Sequence, residues 1–412
     1  MRPLFSLLVC CFAIASCTMK TSSENKVVAQ LKQEIVQDLT ENILPFWATR
    51  SPDPSGGFYG ILKFDGTPAP YADKGGILNS RLIWTFSSAY RILGDAQYKM
   101  LADSAQRYFI DHFIDKVHGG TFTSVKADGT PSDTEKMTYQ NAFAVYGLSE
   151  HYRATGNTES LEAAIAVYHA LVEHAYDPVN GGYIESFTRE WTMIEKGSPK
   201  TMNNNLHVLE ALTNLYRVWP DQSLKEQLTR QIDVMSNKVL NQETWHENLY
   251  LTMDWVNEEN IDSYGHDIEF SWLLVEAAEV LGDERILEDT KRIAVNVAEV
   301  QLLQGFNELG GMYYEKSNGR MVENFEWWPQ AESVVGYLNA WQISGEQKYL
   351  ETAVRSWSFI KTYMIDHEYG GWYRNLHADG APVKNRAKAD QWTCPYHNSR
   401  MGFEVMTRFS DL

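Results

Sequence analysis

Blocks of apolar residues at helical spacing dominate this chain. In one of them Leu78, Leu82, Phe86, Tyr90 and Leu93 would share one face of a helix, because residues three or four positions apart lie above one another on a helix. Similar blocks return throughout the sequence, separated by short polar turns. The pattern therefore predicts a repeated helical architecture.

Gly-Gly pairs recur with the helices. They lie about 60 to 65 residues apart, and Asn248-Leu249-Tyr250 is predicted to fill the one slot where a pair is missing. Alternating sequence follows each pair and often ends in a turn dipeptide such as Asp128-Gly129, which predicts a short β-hairpin. The pairs are Gly56-Gly57, Gly119-Gly120, Gly181-Gly182, Gly310-Gly311 and Gly370-Gly371.

A second marker separates two helices within each repeat. A Gly or Pro follows one apolar helix and precedes another at Gly94, Gly156, Pro220, Gly282 and Gly345, where it would end the first helix. The result is six helix pairs, the first helix being expected at about residues 27–47.

Six helix pairs can form an open superhelix or close into a double-layered barrel. The short links favour closure, and no linker sequence interrupts the period. We therefore expect an all-α fold, an (α/α)6 barrel of six helix pairs with short β-hairpins on one rim. It would form a single domain over residues 27–412.

Residues 1–17 are predicted to be a signal peptide. An apolar run leads to Ile14-Ala15-Ser16-Cys17, a small-residue cleavage site that resembles a bacterial lipobox, whose cysteine is lipidated. The alternative is a plain secretory signal. The run is shorter than the roughly 20 residues that span a bilayer. With residues 18–26 as a polar tether, we expect a periplasmic lipoprotein that touches the membrane only through lipid on Cys17.

Composition narrows the possible partners. The formal charge of −18 argues against nucleic acid, which selects basic surfaces, and against anionic lipid or polysaccharide. The 13 Trp and 22 Tyr suit a neutral carbohydrate, because these rings stack on sugars and offer a polar edge. Cys394 is the only cysteine beyond the predicted signal, so neither an internal disulfide nor a cysteine-rich metal site is expected.

Six predicted helices begin with polar residues at equivalent points of the repeat. If the barrel closes, these starts meet at one end of its axis and bring His207, His266 and His397 into one pocket. The starts are residues 78–81, 139–143, 203–207, 265–269, 327–332 and 395–400.

Histidines in such a pocket suit proton transfer, since imidazole can give and take a proton near neutral pH. Two of them facing each other across a small substrate could move a proton between the two faces of a carbon. Glu269, three residues after His266, would share its helix face and could orient an imidazole or act itself.

Simpler interpretations apply to several of these positions. Asn79, Asn141 and Asp267 could be ordinary helix caps. Zinc is weakly supported, because the histidines come from separate helices without paired-ligand spacing. A thiol nucleophile at Cys394 is also weak, and the chain has neither a phosphate-binding glycine loop nor a Gly-x-Ser-x-Gly elbow.

From about residue 31 to the C-terminus the chain resembles the N-acylglucosamine 2-epimerases, and within them the cellobiose 2-epimerases. The resemblance rests on six motifs in the same order. They are residues 41–47, 78–81, 206–211, 265–269, 327–332 and 395–398.

The resemblance implies cofactor-independent inversion of C2 in the reducing-end sugar of β-1,4-linked disaccharides, through ring opening and a cis-enediol. It implies that His266 and His397 handle the C2 proton, that His207 assists ring opening or holds the O1 region, and that Glu269 supports an imidazole. The residues expected to bind substrate are Arg81, Asn203, Tyr139, Phe143, Trp327, Trp328, Glu332 and Trp392. No cofactor or metal is expected, and we expect a monomer or weak dimer.

Three alternatives stay open. An (α/α)6 glycoside hydrolase would need a carboxylate pair, for which Glu269 and Glu332 are candidates. A sugar-binding lipoprotein would have no activity, and a related 2-epimerase would act on N-acetylglucosamine or a free monosaccharide. Asn205 stands where the resembled family often has histidine, which leaves the preferred disaccharide open, whether cellobiose, mannobiose or lactose.

Overall fold

A computed structural model describes residues 22–412 of the chain. The predicted signal peptide, with Cys17, lies outside the described residues. The first helix begins at Ser22, so residues 22–26 of the predicted tether are helical.

Two concentric layers of helices make up the described part of the chain. The inner helices are α3 (Gly76–Leu93), α5 (Thr138–Thr155), α7 (Met202–Val218), α9 (Tyr264–Leu281), α11 (Trp327–Ser344) and α13 (Tyr396–Arg408). The outer helices are α1 (Ser22–Asp38) with its continuation α2 (Leu44–Arg50), α4 (Ala96–His112), α6 (Thr158–Ala170), α8 (Gln222–Val234), α10 (Glu284–Gln304) and α12 (Gln347–Phe359).

The inner layer is a closed ring. Each inner helix packs against the next one along the chain, and α13 returns to pack against α3. The outer helices pack on the outside of this ring, with α1 lying against α12 and α13. The predicted (α/α)6 barrel is confirmed.

Burial distinguishes the two layers. Residues 138–151 of α5 are all buried, as expected for a helix with neighbours on every side. Helix α4 instead buries Tyr98, Ala102, Ala105 and Phe109 on a single face, which is the pattern of an outer helix. No helix within residues 22–412 is both long and apolar enough to cross a membrane.

The ends of the helices follow the predicted markers. Gly94, Gly156, Gly282 and Gly345 all have left-handed backbone, with φ between 72° and 74°, and so end their helices at the residue type that adopts this conformation most easily. Helix α7 ends at Val218, two residues before Pro220.

Four of the outer helices contain a π-helical turn. The turns are Leu39–Ile43, Leu171–Ala175, Met235–Val239 and Ile360–Met364. The first of them joins α1 to α2, so the helix expected at about residues 27–47 is longer and runs from residue 22 to residue 50.

Short antiparallel strands form one rim. They are β1 (Lys74–Gly75), β2 (Ser124–Val125), β3 (Pro131–Asp133), β4 (Lys136–Met137), β5 (Ser186–Phe187), β6 (Lys200–Thr201), β7 (Leu240–Asn241), β8 (His246–Glu247), β9 (Tyr250–Leu251), β10 (Ile261–Asp262), β11 (Lys316–Ser317), β12 (Arg320–Met321), β13 (Phe325–Glu326) and β14 (Asn375–Leu376). The pairs β1–β2, β4–β5, β6–β9, β10–β11 and β13–β14 each join the start of an inner helix to the following repeat. A bridge between Leu62 and Ala389 joins the last repeat to the first.

The fourth turn differs from the prediction. Strands β7 and β8 pair as Leu240 with Glu247, and Trp245 has left-handed backbone with φ 61°. Trp245-His246 therefore occupies the Gly-Gly position, three residues before the tripeptide that was expected to fill it. The prediction was wrong because a tryptophan adopts a conformation that sequence patterns assign to glycine.

Polar side chains at the starts of the inner helices fasten the preceding turns. Oδ1 of Asn141 accepts from the backbone N of Thr121 at 2.9 Å, and Oδ1 of Asp267 accepts from that of Glu247 at 2.8 Å. Asn205 and Gln330 make the same contact in their repeats, each at 2.9 Å. These residues satisfy buried backbone donors. The expectation that Asn79, Asn141 and Asp267 are helix caps was wrong, because the N-caps of α3, α5 and α9 are Gly75, Met137 and Ser263.

Buried Lys–Asp pairs fasten four of the turns. In each, an Asp of the Gly-Gly turn pairs with a Lys located just before the next inner helix. The pairs are Lys74–Asp53 at 2.8 Å, Lys136–Asp115 at 3.0 Å, Lys200–Asp177 at 2.7 Å, and Lys388–Asp366. Lys200 also donates to the carbonyls of Gly181 and Met253, so a single ammonium joins three segments of the rim.

We expect Lys200→Met to lower the free energy of unfolding by about 3–5 kcal/mol, the usual cost of leaving a buried charge unpaired. The measurement is urea unfolding followed by circular dichroism. Adding Asp177→Asn should recover part of the lost free energy of unfolding. The amide removes the unpaired carboxylate charge but keeps an oxygen that accepts from the backbone N of Val179. A loss below about 1 kcal/mol, the value of an exposed pair, would contradict this account of the rim.

Candidate active site

The starts of the inner helices surround a cavity of about 280 Å³ on the axis of the ring. Its walls come from all six inner helices and from the hairpins around them. The lining residues are Arg81, Tyr139, Asn203, His207, His266, Glu269, Tyr314, Glu326, Trp327, Trp328, Arg374, Arg386, Trp392 and His397.

Ten of the predicted site residues line this cavity, namely Arg81, Tyr139, Asn203, His207, His266, Glu269, Trp327, Trp328, Trp392 and His397. The other two lie behind it. Phe143 packs against His207 with ring centroids 4.8 Å apart, and Glu332 contacts His397. Both therefore support lining residues and do not form the wall themselves.

The three histidines share one arrangement. Nδ1 of His207 lies 2.9 Å from Oε2 of Glu210, Nδ1 of His266 lies 2.7 Å from Oγ of Ser263, and Nδ1 of His397 lies 2.7 Å from Oε1 of Glu332. Because the protein holds Nδ1 in each ring, Nε2 is the nitrogen left for a ligand. Three imidazoles can thus exchange protons with one bound molecule.

Glu269 was expected to support an imidazole, and the imidazole it lies beside is that of His397, not that of His266 on its own helix. Oε1 of Glu269 accepts a hydrogen bond from Nη2 of Arg400 and lies 3.7 Å from Nδ1 of His397. The partner of His266 is Ser263 at the start of α9. Residues three apart share a helix face, but here the side chain of Glu269 reaches across the ring.

Trp328 contacts two of the histidines. Its ring centroid lies 4.5 Å from that of His266 and 5.4 Å from that of His397. The glycine at position 265 allows this approach, because a Cβ there would lie 2.6 Å from the Trp328 ring. A single indole therefore sets the positions of both imidazoles.

Arg81 is the cation that an inner helix contributes to the cavity wall. It is 2% exposed, and its Nη2 donates to the hydroxyl of Tyr139 at 2.6 Å. The guanidinium also lies 4.1 Å from the centroid of Phe143.

Nη1 of Arg81 reaches Sγ of Cys394 at 3.8 Å. Burial raises the pKa of this thiol, which leaves it protonated and suits a structural role.

Sequence reasoning missed the lining residues that come from hairpins. Tyr314, Glu326, Arg374 and Arg386 do not belong to the polar column of helix starts, so the repeat gave no signal for them. Burial raises the pKa of Glu326 to about 7, although the positive charge of Arg374 acts to lower it. This carboxyl therefore changes its charge near neutral pH at the edge of the cavity.

Asn205 does not shape the cavity. It is fully buried on the side facing the outer layer, where Nε2 of Gln231 donates to its backbone carbonyl at 2.8 Å. The departure from the resembled family at this position therefore lies outside the cavity wall, because the side chain fastens the turn at Tyr183.

One grouping of side chains has the spacing of metal ligands. Glu269, Glu332 and His397 bring ligand atoms within 4.8 Å of one another. Nη2 of Arg400, however, donates to both carboxylates, at 2.7 Å to Oε1 of Glu332. The guanidinium already bridges the two carboxylates as their cation, so this grouping does not fit a metal centre.

Comparison with known proteins identifies relatives over almost the whole chain. Residues 57–399 match the family model of N-acylglucosamine 2-epimerase (GlcNAc 2-epimerase). A cellobiose 2-epimerase of Bacteroides fragilis is 43% identical over 91% of this chain and 98% of that protein. One from Ruminococcus albus is 37% identical over 92% and 99%. The solved structure of cellobiose 2-epimerase from Bacillus thermoamylovorans superposes with a TM-score of 0.89 at 36% identity, covering 92% of this chain and all of that one.

We expect His266 to stay neutral well below the usual titration range of histidine. Burial, together with the charge of His207, lowers the pKa of His266 to about 3. Nitrogen-detected NMR of the imidazole between pH 8 and pH 5 should therefore show the neutral ring throughout, with the resonance assigned by its loss in His266→Asn. A midpoint above pH 6 would show that the cavity does not desolvate this ring.

Proposed function

The chain belongs to the N-acylglucosamine 2-epimerase family, and from that membership we propose that it is an isomerase, a 2-epimerase of β-1,4-linked disaccharides such as cellobiose, mannobiose or lactose. The observation that carries the proposal is the set of three imidazoles that leave Nε2 toward one cavity. Inversion at a carbon needs groups that take a proton from one face and return one to the other.

The reaction follows from the chemistry of an open-chain sugar. Once the reducing-end ring opens, the C2 proton lies next to an aldehyde and becomes acidic enough for a positioned imidazole. One histidine takes this proton, and the C–H electron pair moves into a cis-enediolate. The histidine on the other side, which takes a proton from solvent while the anionic enediolate is bound, gives that proton to C2, and the first histidine returns its proton to solvent. The configuration is inverted without oxidation, so the step balances with no cofactor.

His266 and His397 are the pair that handles C2 in this proposal. Both rings pack against Trp328, so they flank one volume of the cavity. Their supports differ, a hydroxyl from Ser263 for His266 and a carboxylate from Glu332 for His397. Because the reaction is reversible, each ring is the acceptor in one direction and the donor in the other.

Ring opening is assigned to His207, supported by Glu210. Opening needs a proton to move from the hydroxyl at O1 to the ring oxygen, which one imidazole can transfer. Arg81 provides a fixed positive charge for the enediolate oxygens, where a preorganised cation favours developing negative charge. No residue of the described chain donates to Oδ1 of Asn203. This oxygen can therefore accept a hydrogen bond from a sugar hydroxyl.

The second sugar ring is assigned to the mouth of the cavity. Trp392 is 43% exposed there, with its ring centroid 5.7 Å from that of Tyr139. An exposed indole next to a hydroxylated ring suits an uncharged sugar.

Hydrolysis is less well supported by the same geometry. Glu269 and Glu332 are 0% and 1% exposed and share Arg400 behind His397. A glycosidase needs two carboxyl groups that flank the bond to be cleaved.

The test is incubation with cellobiose in D2O. We expect deuterium at C2 of the reducing-end sugar and formation of glucosylmannose with the linkage intact, detected by NMR. His266→Asn and His397→Asn should each lower the rate on the order of 100- to 10,000-fold. The matched control is His174→Asn, which removes an imidazole that stacks on Trp191 in the outer layer.

Release of glucose without exchange at C2 would contradict the proposal in favour of hydrolysis. Binding without any product would favour a sugar-binding protein. Rates on mannobiose, lactose, mannose and N-acetylglucosamine measured in the same way would define the substrate, and a preference for either of the last two would place the activity on monosaccharides.

We also propose that the mature protein is a periplasmic lipoprotein. Support comes from the lipobox-like Ile14-Ala15-Ser16-Cys17 and the polar residues that follow it. We expect the wild-type protein to sediment with membranes and to incorporate labelled palmitate, and Cys17→Ser to lose the label. Retention of the label by Cys17→Ser would contradict lipidation at this residue.

A further inference from the structure

One arginine behind the cavity joins carboxylates from three inner helices. Arg400 on α13 is 2% exposed. Its Nη1 donates to Oε1 of Glu210 on α7 at 2.5 Å, and its Nη2 donates to Oε1 of Glu332 on α11 at 2.7 Å and to Oε1 of Glu269 on α9. Four of the six inner helices therefore meet at a single guanidinium.

Two of these carboxylates are also the partners of histidines. Glu210 contacts Arg400 through Oε1 and Nδ1 of His207 through Oε2. Glu332 contacts both Arg400 and Nδ1 of His397 through Oε1. Arg400 is thus separated by one carboxylate from each of two imidazoles that belong to different helices.

The charges around Arg400 do not balance if every group is ionised. Three buried carboxylates face one guanidinium, and like charges at such distances do not all ionise. Burial would raise the pKa of Glu210, but the charge of Arg400 and the contact with His207 lower it to about 2. Burial and the charge of Glu332 raise the pKa of Glu269 well above its usual value. Burial also raises the pKa of Glu332, so Glu269 and Glu332 hold a proton more readily than Glu210 does.

We propose that Arg400 is a positioning residue that links the protonation of His207 to that of His397. It fixes both carboxylate partners in one rigid fork, which the planar guanidinium allows. When one imidazole gains a proton, its carboxylate partner interacts less strongly with Arg400. The guanidinium then interacts more strongly with the other carboxylate, and this changes the pKa of the other imidazole. The roles in catalysis rest on the proposed function, but the linkage itself does not.

Other charged and titratable groups also face these two imidazoles. His207 lies among Glu210 of its own helix, Tyr139 of α5, Tyr396 and Arg400 of α13, and Arg81 of α3. His397 lies among Glu332 of α11, Glu269 of α9, Arg400 and Tyr396 of its own helix, Arg81 of α3, and His207 and Glu210 of α7. Arg400 is the cation that contacts carboxylates on both sides, whereas Arg81 contacts neither carboxylate.

The linkage predicts a joint response to the loss of Arg400. The guanidinium lowers the pKa of both His207 and His397, in addition to burial. In Arg400→Met we expect both imidazole resonances to titrate at higher pH than in the wild type, measured by NMR without substrate. Arg400→Lys, which keeps a charge but not the fork, should give smaller shifts in the same direction. The matched control is Arg408→Met on the same helix, which removes a pair with Glu404 and should move neither resonance.

A folded Arg400→Met in which only one imidazole moves, or neither, would overturn the proposal. If this variant does not fold, turnover provides a second test, with Glu210→Gln and Glu332→Gln alone and together. Linked imidazoles should make the double variant lose clearly less than the product of the two single losses in kcat/KM, with KM little changed. Losses that multiply would overturn the linkage. Absence of C2 exchange in the wild type would instead refute the proposed function and leave the NMR test in place.

Discussion

Closure of the inner ring is the constraint on which the site depends. Because α13 packs against α3, residues more than 300 positions apart, such as Arg81 and Trp392, come within hydrogen-bonding range. An open superhelix with the same twelve helices would leave the first and last repeats apart. His397, on the last helix, would then never face His207 and His266. The cavity is therefore a property of the closed ring and of no single repeat.

The side chains that fix the rim turns differ from those that line the cavity. Side chains such as Asn141 and Lys200 fasten each turn to the helix start next to it, and they satisfy groups that would be costly to bury unpaired. His207, His266 and His397 do not fasten turns. Each imidazole is held by one side chain from within the ring or its edge, which leaves the second ring nitrogen for chemistry. Fixed imidazoles in a desolvated cavity need little rearrangement when a proton moves.

The architecture was predictable because it follows from a period. Positions such as Gly94 and Gly345 end helices for a local reason that any repeat shows, and the column of polar helix starts identified most of the cavity wall. Contacts across the ring were not predictable in this way. Glu269 shares a face with His266 along α9, yet its carboxyl reaches Arg400 on another helix, because the charge of a guanidinium outweighs proximity on one helix. Arg374 and Arg386 come from hairpins whose sequence has no fixed relation to the axis.

The convergence of helix starts on the cavity has an electrostatic consequence. The backbone dipoles of a helix sum to about half a positive charge at its N-terminus, and here six N-termini are directed toward one end of the axis. The helix starts thus contribute partial positive charge around the cavity of a protein whose formal charge is −18. An anion that forms there, such as an enediolate, is stabilised by the backbone itself before any side chain contributes. The large negative charge of the outer surface can consequently vary during evolution without altering the field at the reacting carbon, because solvent screens the surface over roughly 10 Å.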